Sequence, residues 1–314
     1  MKHQTFTHHD ILSVEQFSRS DLSVIMERTD DMKRLVETKG GNDSLKGKIM
    51  TALFYEPSSR TFGSFIASMQ RLGGGIIPIQ GVSYSSVSKG ESLPDTVRTF
   101  ENYSDVIVLR HPEVGSAKIA AEFAQKPVIN AGDGIGEHPT QALLDFYTIT
   151  QHFPRISGLT ITMVGDMYNG RTIHSLAKLL SLFEGVALNF ISPDLLRVSP
   201  SLLTLLKERK TPVAEYENIE GTLGETDVLY VTRVQKERFS DLAMYEKLKH
   251  RYIVTPKMLF KMKKKSIIMH PFPRVGEITM DVDLDPRAVY ISEQMRNGLY
   301  VRMALLSLIL RKEQ

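Results

Sequence analysis

The chain has 314 residues, room for two domains of ordinary size, and its formal net charge of +3 carries no bulk signal for nucleic acid. It contains no cysteine, which excludes disulfides, thiolate metal sites and thiol nucleophiles together and fits a reducing compartment. The polar start, Met1 to Asp10, lacks the apolar core of a signal peptide, and the most apolar helix candidate, Val301–Leu310, is shorter than the roughly 20 residues of a membrane span. A cytoplasmic protein is expected.

In chain order, a first helix is predicted over Asp21–Val36, with Leu22, Ile25, Met26, Met32 and Leu35 on one face. Ile49–Phe54 reads as a buried strand. Phe62, Phe65, Ile66, Met69 and Leu72 then recur at helical spacing within Thr61–Leu72. Strand Ile76–Ile79, helix Leu93–Tyr103, strand Val106–Leu109, helix Ala117–Phe123 and strand Val128–Asn130 follow. After a helix near Gln141–His152 the alternation restarts. Leu159–Val164 is strand, Thr172–Phe183 helix and Ala187–Ile191 strand, and Ser199-Pro200 opens another helix. Val228–Thr232 and Ile267–Met269 are further strands. Such alternation predicts an α/β protein with two parallel-sheet domains of similar size and the active site in the cleft between them. The domains are expected to cover residues 1–139 and 140–293, with a last helix in 294–314 packing back on the first.

In open α/β sheets, ligands bind beyond the carboxyl ends of the strands. The unusual polar residues of this chain gather there. Ile49–Phe54 leads into Pro57-Ser58-Ser59-Arg60-Thr61, where hydroxyls and an arginine meet a helix N-terminus. Unpaired N–H groups and the helix dipole favour an anion at such a place, and a guanidinium suits phosphate. A serine there can equally be a simple helix cap. Arg110-His111-Pro112, His138-Pro139-Thr140-Gln141, Gly165-Asp166, Gly170-Arg171-Thr172, Arg233-Val234-Gln235 and His270-Pro271-Phe272-Pro273-Arg274 follow other strands. Each arginine alone reads as an ordinary surface residue. Arg60, Arg110, Arg171, Arg233 and Arg274 together imply substrates with several negative charges.

His138 has no second histidine, cysteine or carboxylate at metal-ligand spacing, so neither a metal nor a cofactor is expected. It either caps a helix or donates to a carbonyl oxygen, with Gln141 one turn away. Gly165–Gly170 matches neither dinucleotide-binding nor P-loop glycine spacing. The lysine run 261–265 reads as a solvated face. Gly81–Glu91, rich in serine and glycine, is either a flexible connection or a lid that brings Ser85 and Lys89 to an anion.

Taken together, P-S-S-R-T, S-V-S-K-G-E, V-L-R-H-P, N-A-G-D-G, E-H-P-T-Q, V-G-D-M-Y-N-G-R-T, T-R-V-Q-K-E-R and H-P-F-P-R closely resemble the aspartate carbamoyltransferase family over nearly the whole chain. The details look more like the domain found in eukaryotic multienzyme pyrimidine proteins than like enteric bacterial chains. The sister ornithine carbamoyltransferases share the first motif but normally carry H-C-L-P where this chain has His270–Pro273, and T-R-V-Q-K-E-R points to aspartate. Phe272 departs from the leucine common in the family, a change expected to alter local packing more than backbone contacts.

The resemblance implies transfer of a carbamoyl group from carbamoyl phosphate to L-aspartate, an early step of pyrimidine synthesis. Ser58, Ser59, Arg60, Thr61 and Arg110 would bind the phosphate. Arg60, Thr61 and His138 would polarise the carbonyl. Gln141 and the backbone carbonyls of Pro271 and Phe272 would hold the carbamoyl NH2. Arg171 would take the α-carboxylate of aspartate, and Arg233 with Gln235 the β-carboxylate. Ser85 and Lys89 of a neighbouring chain would complete the carbamoyl phosphate site, Lys89 also reaching the aspartate, so a homotrimer is implied. A cis peptide before Pro273 belongs to the same pattern, and the resemblance leaves room for regulatory or multienzyme partners. Rival readings are carbamoyl transfer to another amino acid such as ornithine, a catalytically silent scaffold, and a nonenzymatic phosphate-binding module, in which the later arginines would lack a task.

Overall fold

The computed structural model describes residues 6, 9–81, 86–236, 241–249 and 251–310. The chain forms two compact units, Met1–Leu143 with Asn297–Gln314, and Leu144–Arg296.

The first unit begins with helix α1 (Arg19–Lys39), longer at both ends than its apolar stripe predicts. Ser18 and Asp21 close a capping box that starts it early, and Gly40, at φ +77°, supplies the left-handed residue that ends it. Strand β1 (Ile49–Phe54), helix α2 (Ser59–Arg71), strand β2 (Gly75–Gln80), helix α3 (Leu93–Glu101), strand β3 (Val106–His111), helix α4 (Ser116–Phe123) and strand β4 (Val128–Asp133) follow. The strands are all parallel in the order β2-β1-β3-β4. β2 is an edge strand, which is why it tolerates Pro78, a residue that cannot donate to a ladder. Beneath the sheet Leu53, Val97, Ile107, Leu109, Ala120 and Val128 form one buried cluster.

Helix α5 (Pro139–His152) carries the chain across the unit boundary. The second unit contains β5 (Thr160–Val164), α6 (Arg171–Leu180), β6 (Ala187–Ile191), α7 (Pro200–Glu208), β7 (Val213–Tyr216), β8 (Val228–Val231), α8 (Leu242–Leu248), α9 (Pro256–Leu259) and β9 (Ile267–Met269). Its sheet is also parallel, in the order β7-β6-β5-β8-β9. The sequence reading missed β7, α8 and α9. β7 is a half-exposed edge strand without an apolar run, and the two helices are too short to show a period. No helix among the described residues is long and apolar enough to cross a membrane.

Helix α10 (Met295–Leu310) starts earlier than its apolar stretch and returns the chain to the first unit. Ser68 Oγ donates to the Leu299 carbonyl (3.1 Å), and Arg28 Nε to Ser307 Oγ (2.9 Å). The Arg302 guanidinium lies over the Phe65 ring at 5.2 Å.

Both sheets share one topology. From β1 the chain steps outward to β2 and then crosses to β3 on the other side; from β5 it steps outward to β6 and β7 and then crosses to β8. A topological switch point therefore lies between β1 and β3 and another between β5 and β8, each opening a crevice at the carboxyl ends of the strands.

Candidate active site

At the first switch point β1 runs into the Ser58–Thr61 turn. Phe54 pairs with Arg110 across the ladder, and Tyr55 N–H donates to the Arg110 carbonyl at 2.8 Å, so the two strand ends leave the sheet together. Ser58 is the N-cap residue of α2, yet its side chain makes no capping bond. Ser18, Ser92 and Ser199 do cap their helices, each accepting a backbone N–H. The capping reading of Ser58 is therefore the weaker one, and its hydroxyl is not spent on the helix. Ser59 and Arg60 are exposed on the first turn, Thr61 is buried, and that turn carries no acidic residue to repel an anion.

Arg110 lies half-buried beside this turn. Its Nε is 3.5 Å from Glu56 Oε2, and its Nη1 donates to the Ala131 carbonyl at 3.4 Å. His111 accepts the Glu113 N–H on Nδ1 (3.1 Å) and stands 2.8 Å from Ser116 Oγ, while burial pushes its pKa down. Asp133, at the end of β4, accepts N–H groups from Gly115 and Glu137, both at 2.8 Å. Those bonds shape the loop that delivers His138 and Gln141, both buried, to the start of α5. Gln141 N–H donates to the His138 carbonyl at 3.0 Å. Because the sheet is parallel, Ser58–Thr61, Arg110, His138 and Gln141 all emerge from one edge. β2 leaves from the same edge through Gly81, whose N–H donates to the Phe54 carbonyl at 2.8 Å. Ser85 lies outside the described residues; Lys89 is exposed at the end of the short Ser86–Lys89 turn.

At the second switch point the ends of β5 and β8 approach so closely that only glycine fits. A β-carbon on Gly165, itself at φ +126°, would sit 2.2 Å from the Thr232 carbonyl oxygen. Beyond it Asp166 is fully buried. It accepts Asn169 N–H (2.9 Å), both Asn169 Nδ2 contacts (3.2 and 3.1 Å) and Gln235 N–H (3.5 Å). Burial raises the Asp166 pKa, opposed by the Asn169 bonds. Gln235 Nε2 donates back to the Asn169 carbonyl at 2.9 Å. The loop before α6, which begins at Arg171, and the loop after β8, which bears Arg233 and Gln235, are thus tied by one carboxylate. Both arginines are half-buried.

β9 runs into His270-Pro271-Phe272, with a cis Phe272–Pro273 bond and Phe272 at φ +55°. Phe272 is half-buried and meets the His270 and Tyr290 rings edge-on at 5.2 and 6.0 Å, which is how this loop houses the aromatic side chain. His270 Nδ1 accepts Phe272 N–H (2.8 Å), and Nε2 lies 2.5 Å from Glu277 Oε1. A backbone N–H can only donate, so the imidazole proton sits on Nε2 and points at Glu277. Burial lowers the His270 pKa, against the pull of Glu277. Burial is the largest single influence on Glu277 and disfavours its carboxylate, but the His270 bond and charge together with the backbone bonds it accepts outweigh burial, and its pKa ends below the usual range.

Arg274 does not share the role that its strand-end position suggested. It forms a fork with Asp283, Nη1 on Oδ1 and Nη2 on Oδ2 (2.9 Å), and its guanidinium lies 5.8 Å from the Tyr290 ring centre. Asp283 in turn accepts the Tyr290 hydroxyl. Its charge is committed to the fold. The sequence reading also passed over Glu56, Asp145, Asp166 as a loop tie, and Glu277. Glu56 sits beside the P-S-S-R-T motif and could have been noticed; Asp145 and Glu277 carry no local signal.

A model of the aspartate/ornithine carbamoyltransferase carbamoyl-P binding domain matches residues 9–151, and one of the Asp/Orn binding domain matches residues 157–309. The chain is 52% identical to the multifunctional protein pyr1-3 of Dictyostelium discoideum, over 95% of this chain and only 13% of that relative's length. It is 49% identical to the aspartate carbamoyltransferase catalytic subunit of Thermoplasma volcanium, covering 96% of this chain and 97% of that one. Among solved structures, aspartate transcarbamoylase from Trypanosoma cruzi in complex with carbamoyl phosphate and aspartate superposes with a TM-score of 0.92 at 40% identity, over 97% of this chain and 98% of that one.

Proposed function

The chain belongs to the aspartate/ornithine carbamoyltransferase family, and from that premise we propose that it transfers the carbamoyl group of carbamoyl phosphate to the α-amino group of L-aspartate. The products are N-carbamoyl-L-aspartate and phosphate. The observation that carries this reading is the pair of equivalent switch points. One presents hydroxyls and arginines around a helix N-terminus, and the other presents Arg171, Arg233 and Gln235 on tied loops.

Ser58, Ser59, Arg60, Thr61 and Arg110 hold the phosphate, using backbone N–H groups, hydroxyls and guanidinium forks. Arg60, Thr61 and His138 face the carbonyl oxygen, where negative charge grows as the tetrahedral centre forms. Gln141 and the Pro271 and Phe272 carbonyls take the carbamoyl NH2. Arg171 pairs with the α-carboxylate of aspartate, and Arg233 with Gln235 holds the β-carboxylate. The neutral amine attacks the carbamoyl carbon, the C–N bond forms, and the C–O bond to phosphate breaks with its electron pair leaving on the phosphate. The amine proton leaves with that phosphate. His270 is no candidate base, since both ring nitrogens are already engaged. Holding two mutually repelling anions in reacting geometry is the main catalytic task.

Carbamoyl phosphate binds to residues 1–139 with the helix in 294–314, and aspartate to residues 140–293. The working form is a homotrimer in the cytoplasm, with Ser85 and Lys89 supplied by a neighbouring copy; the family resemblance supports this, and multienzyme relatives such as pyr1-3 support a larger assembly. Labelled carbamoyl phosphate, offered with aspartate and separately with ornithine, tests the reaction. Carbamoyl-aspartate alone is expected. Citrulline as the product would overturn the assignment of the acceptor, and no transfer to any amino acid would favour the silent scaffold.

A further inference from the structure

The Pro271–Phe272 segment is held in a backbone conformation that a side-chain-bearing residue seldom adopts, with Phe272 at φ +55°. The groups around it form a closed set within the second unit. His270 and Glu277 are 1% and 5% exposed. His270 Nδ1 accepts Phe272 N–H at 2.8 Å. Glu277 uses both oxygens, Oε1 on His270 Nε2 (2.5 Å) and Oε2 on Val275 N–H (2.9 Å). On the other side Gln294 Oε1 accepts His270 N–H at 2.8 Å, and Gln294 Nε2 donates to Asp145 at 2.7 Å. Asp145 also accepts the Tyr230 hydroxyl at 2.7 Å. The mechanism above uses none of these side chains directly.

We propose that His270, Glu277 and Gln294 are positioning residues that aim the Pro271 and Phe272 carbonyl oxygens, and so let the site tell an NH2 group from a methyl group on an acyl phosphate. The inference rests on the reading that these carbonyls receive the carbamoyl NH2. A methyl group offers no donor and leaves an aimed, desolvated carbonyl unsatisfied, which is the kind of mismatch that discriminates strongly. That penalty exists only if the carbonyls cannot turn away. The His270 bond to Phe272 N–H fixes the Pro271–Phe272 peptide plane and so the Pro271 carbonyl. The packing of the Phe272 ring against His270 and Tyr290 holds the residue that carries the second carbonyl, and Glu277 fixes the imidazole tautomer on which the His270 bond depends.

The test compares carbamoyl phosphate with acetyl phosphate, which carries methyl in place of NH2, as alternative donors to aspartate in the intact enzyme. Glu277→Gln keeps the size of the side chain but has one acceptor oxygen where the carboxylate has two, so either His270 Nε2–H or Val275 N–H then faces an NH2 group. His270→Ala removes the acceptor for Phe272 N–H. His270→Asn supplies one at the spacing of an Asx turn, and both His270 variants deprive Glu277 of its partner equally, so their difference isolates that acceptor. The preference for carbamoyl over acetyl phosphate, as a ratio of kcat/KM, is expected to fall about tenfold or more in Glu277→Gln and His270→Ala and to recover largely in His270→Asn. The Kd for inorganic phosphate should stay within about twofold, since the first unit holds it. Should His270→Ala not fold, Glu277→Gln and His270→Asn against the wild type carry the same comparison. If the wild type discriminates and the variants lose rate on both donors in proportion, with the ratio intact, these residues merely pack the loop and the proposal is overturned. A wild type indifferent to NH2 or methyl sinks the reading of the carbonyls, and the proposal with it.

Discussion

The carboxyl edges of the two sheets are built on one topology and made rigid in different ways. At the first, recognition groups come with the secondary structure itself: α2 starts where β1 ends, and its first turn offers N–H groups and hydroxyls, with Ser58 making no capping bond. At the second, the groups sit on loops that would wander if nothing held them, and buried polar side chains supply the hold. Asp166 ties the Arg171 and Gln235 loops, and the His270–Glu277 pair sets the loop after β9. A phosphate can be caught by a helix end, whereas two carboxylates and an amide need donors and acceptors at fixed separations that no single element provides.

The most severe break in this comparison should come from Arg60→Ala at the first edge. Turnover should fall about a hundredfold or more, as for loss of a contact to developing negative charge. Steady-state kinetics on the purified variant check this, and near-normal kcat would remove Arg60 from the mechanism. Next comes subunit sharing. Lys89→Ala and Arg60→Ala enzymes, each strongly impaired, should regain activity when dissociated and reassembled together, because in the proposed trimer a mixed assembly pairs an intact first edge with an intact Lys89. Verified mixed trimers that stay silent would confine the site to one chain.

Asp166→Ala sharpens the contrast at the second edge. Untying the two loops should raise the KM for aspartate about tenfold, the scale of one lost buried hydrogen-bonded group, with phosphate affinity little changed. Equal losses for both ligands would show that Asp166 only supports the fold. The smallest effect is expected at Arg274. Asp283→Asn should lower thermal stability near neutral pH without changing the KM for aspartate. The Asp283 pKa is held below the usual range first by its bond to Arg274. A depressed folded pKa contributes stability above the unfolded carboxylate value, near 4, and loses it as pH falls through the folded value. The gap in Tm between wild type and variant should therefore be open at pH 7 and close as the buffer is taken well below pH 4. A gap independent of pH would assign the loss to packing.

The difference between the edges also explains what could be read in advance. P-S-S-R-T follows a strand and opens an amphipathic helix, so its chemistry and its structural setting lie within a few consecutive residues. Arg274 shows the opposite case. It stands at a strand end like Arg60, Arg110, Arg171 and Arg233, and only the packed chain reveals that Asp283, nine positions on, has claimed its guanidinium. Asp145 and Glu277 lie in apolar surroundings without any pattern of their own; Asp145 meets Gln294 from an element far along the chain, and Glu277 meets His270 only because the loop after β9 folds back on itself.

From the sequence by itself came the alternation of strand and helix, the two parallel-sheet units, the turn after the first strand that we propose binds an anion, and the family resemblance, because each is written in residues close together along the chain. The tertiary structure alone decided strand order, and with it where the two switch points open. It also decided which arginines are committed elsewhere and which buried carboxylates hold the loops. Strand order depends on pairings between segments far apart in sequence, and the side-chain ties depend on how the packed loops turn, even where the partners are only seven or nine positions apart. Burial sets their strength, since a charge or hydrogen bond gains or loses its worth with the water around it, and no single stretch of residues encodes how much water remains.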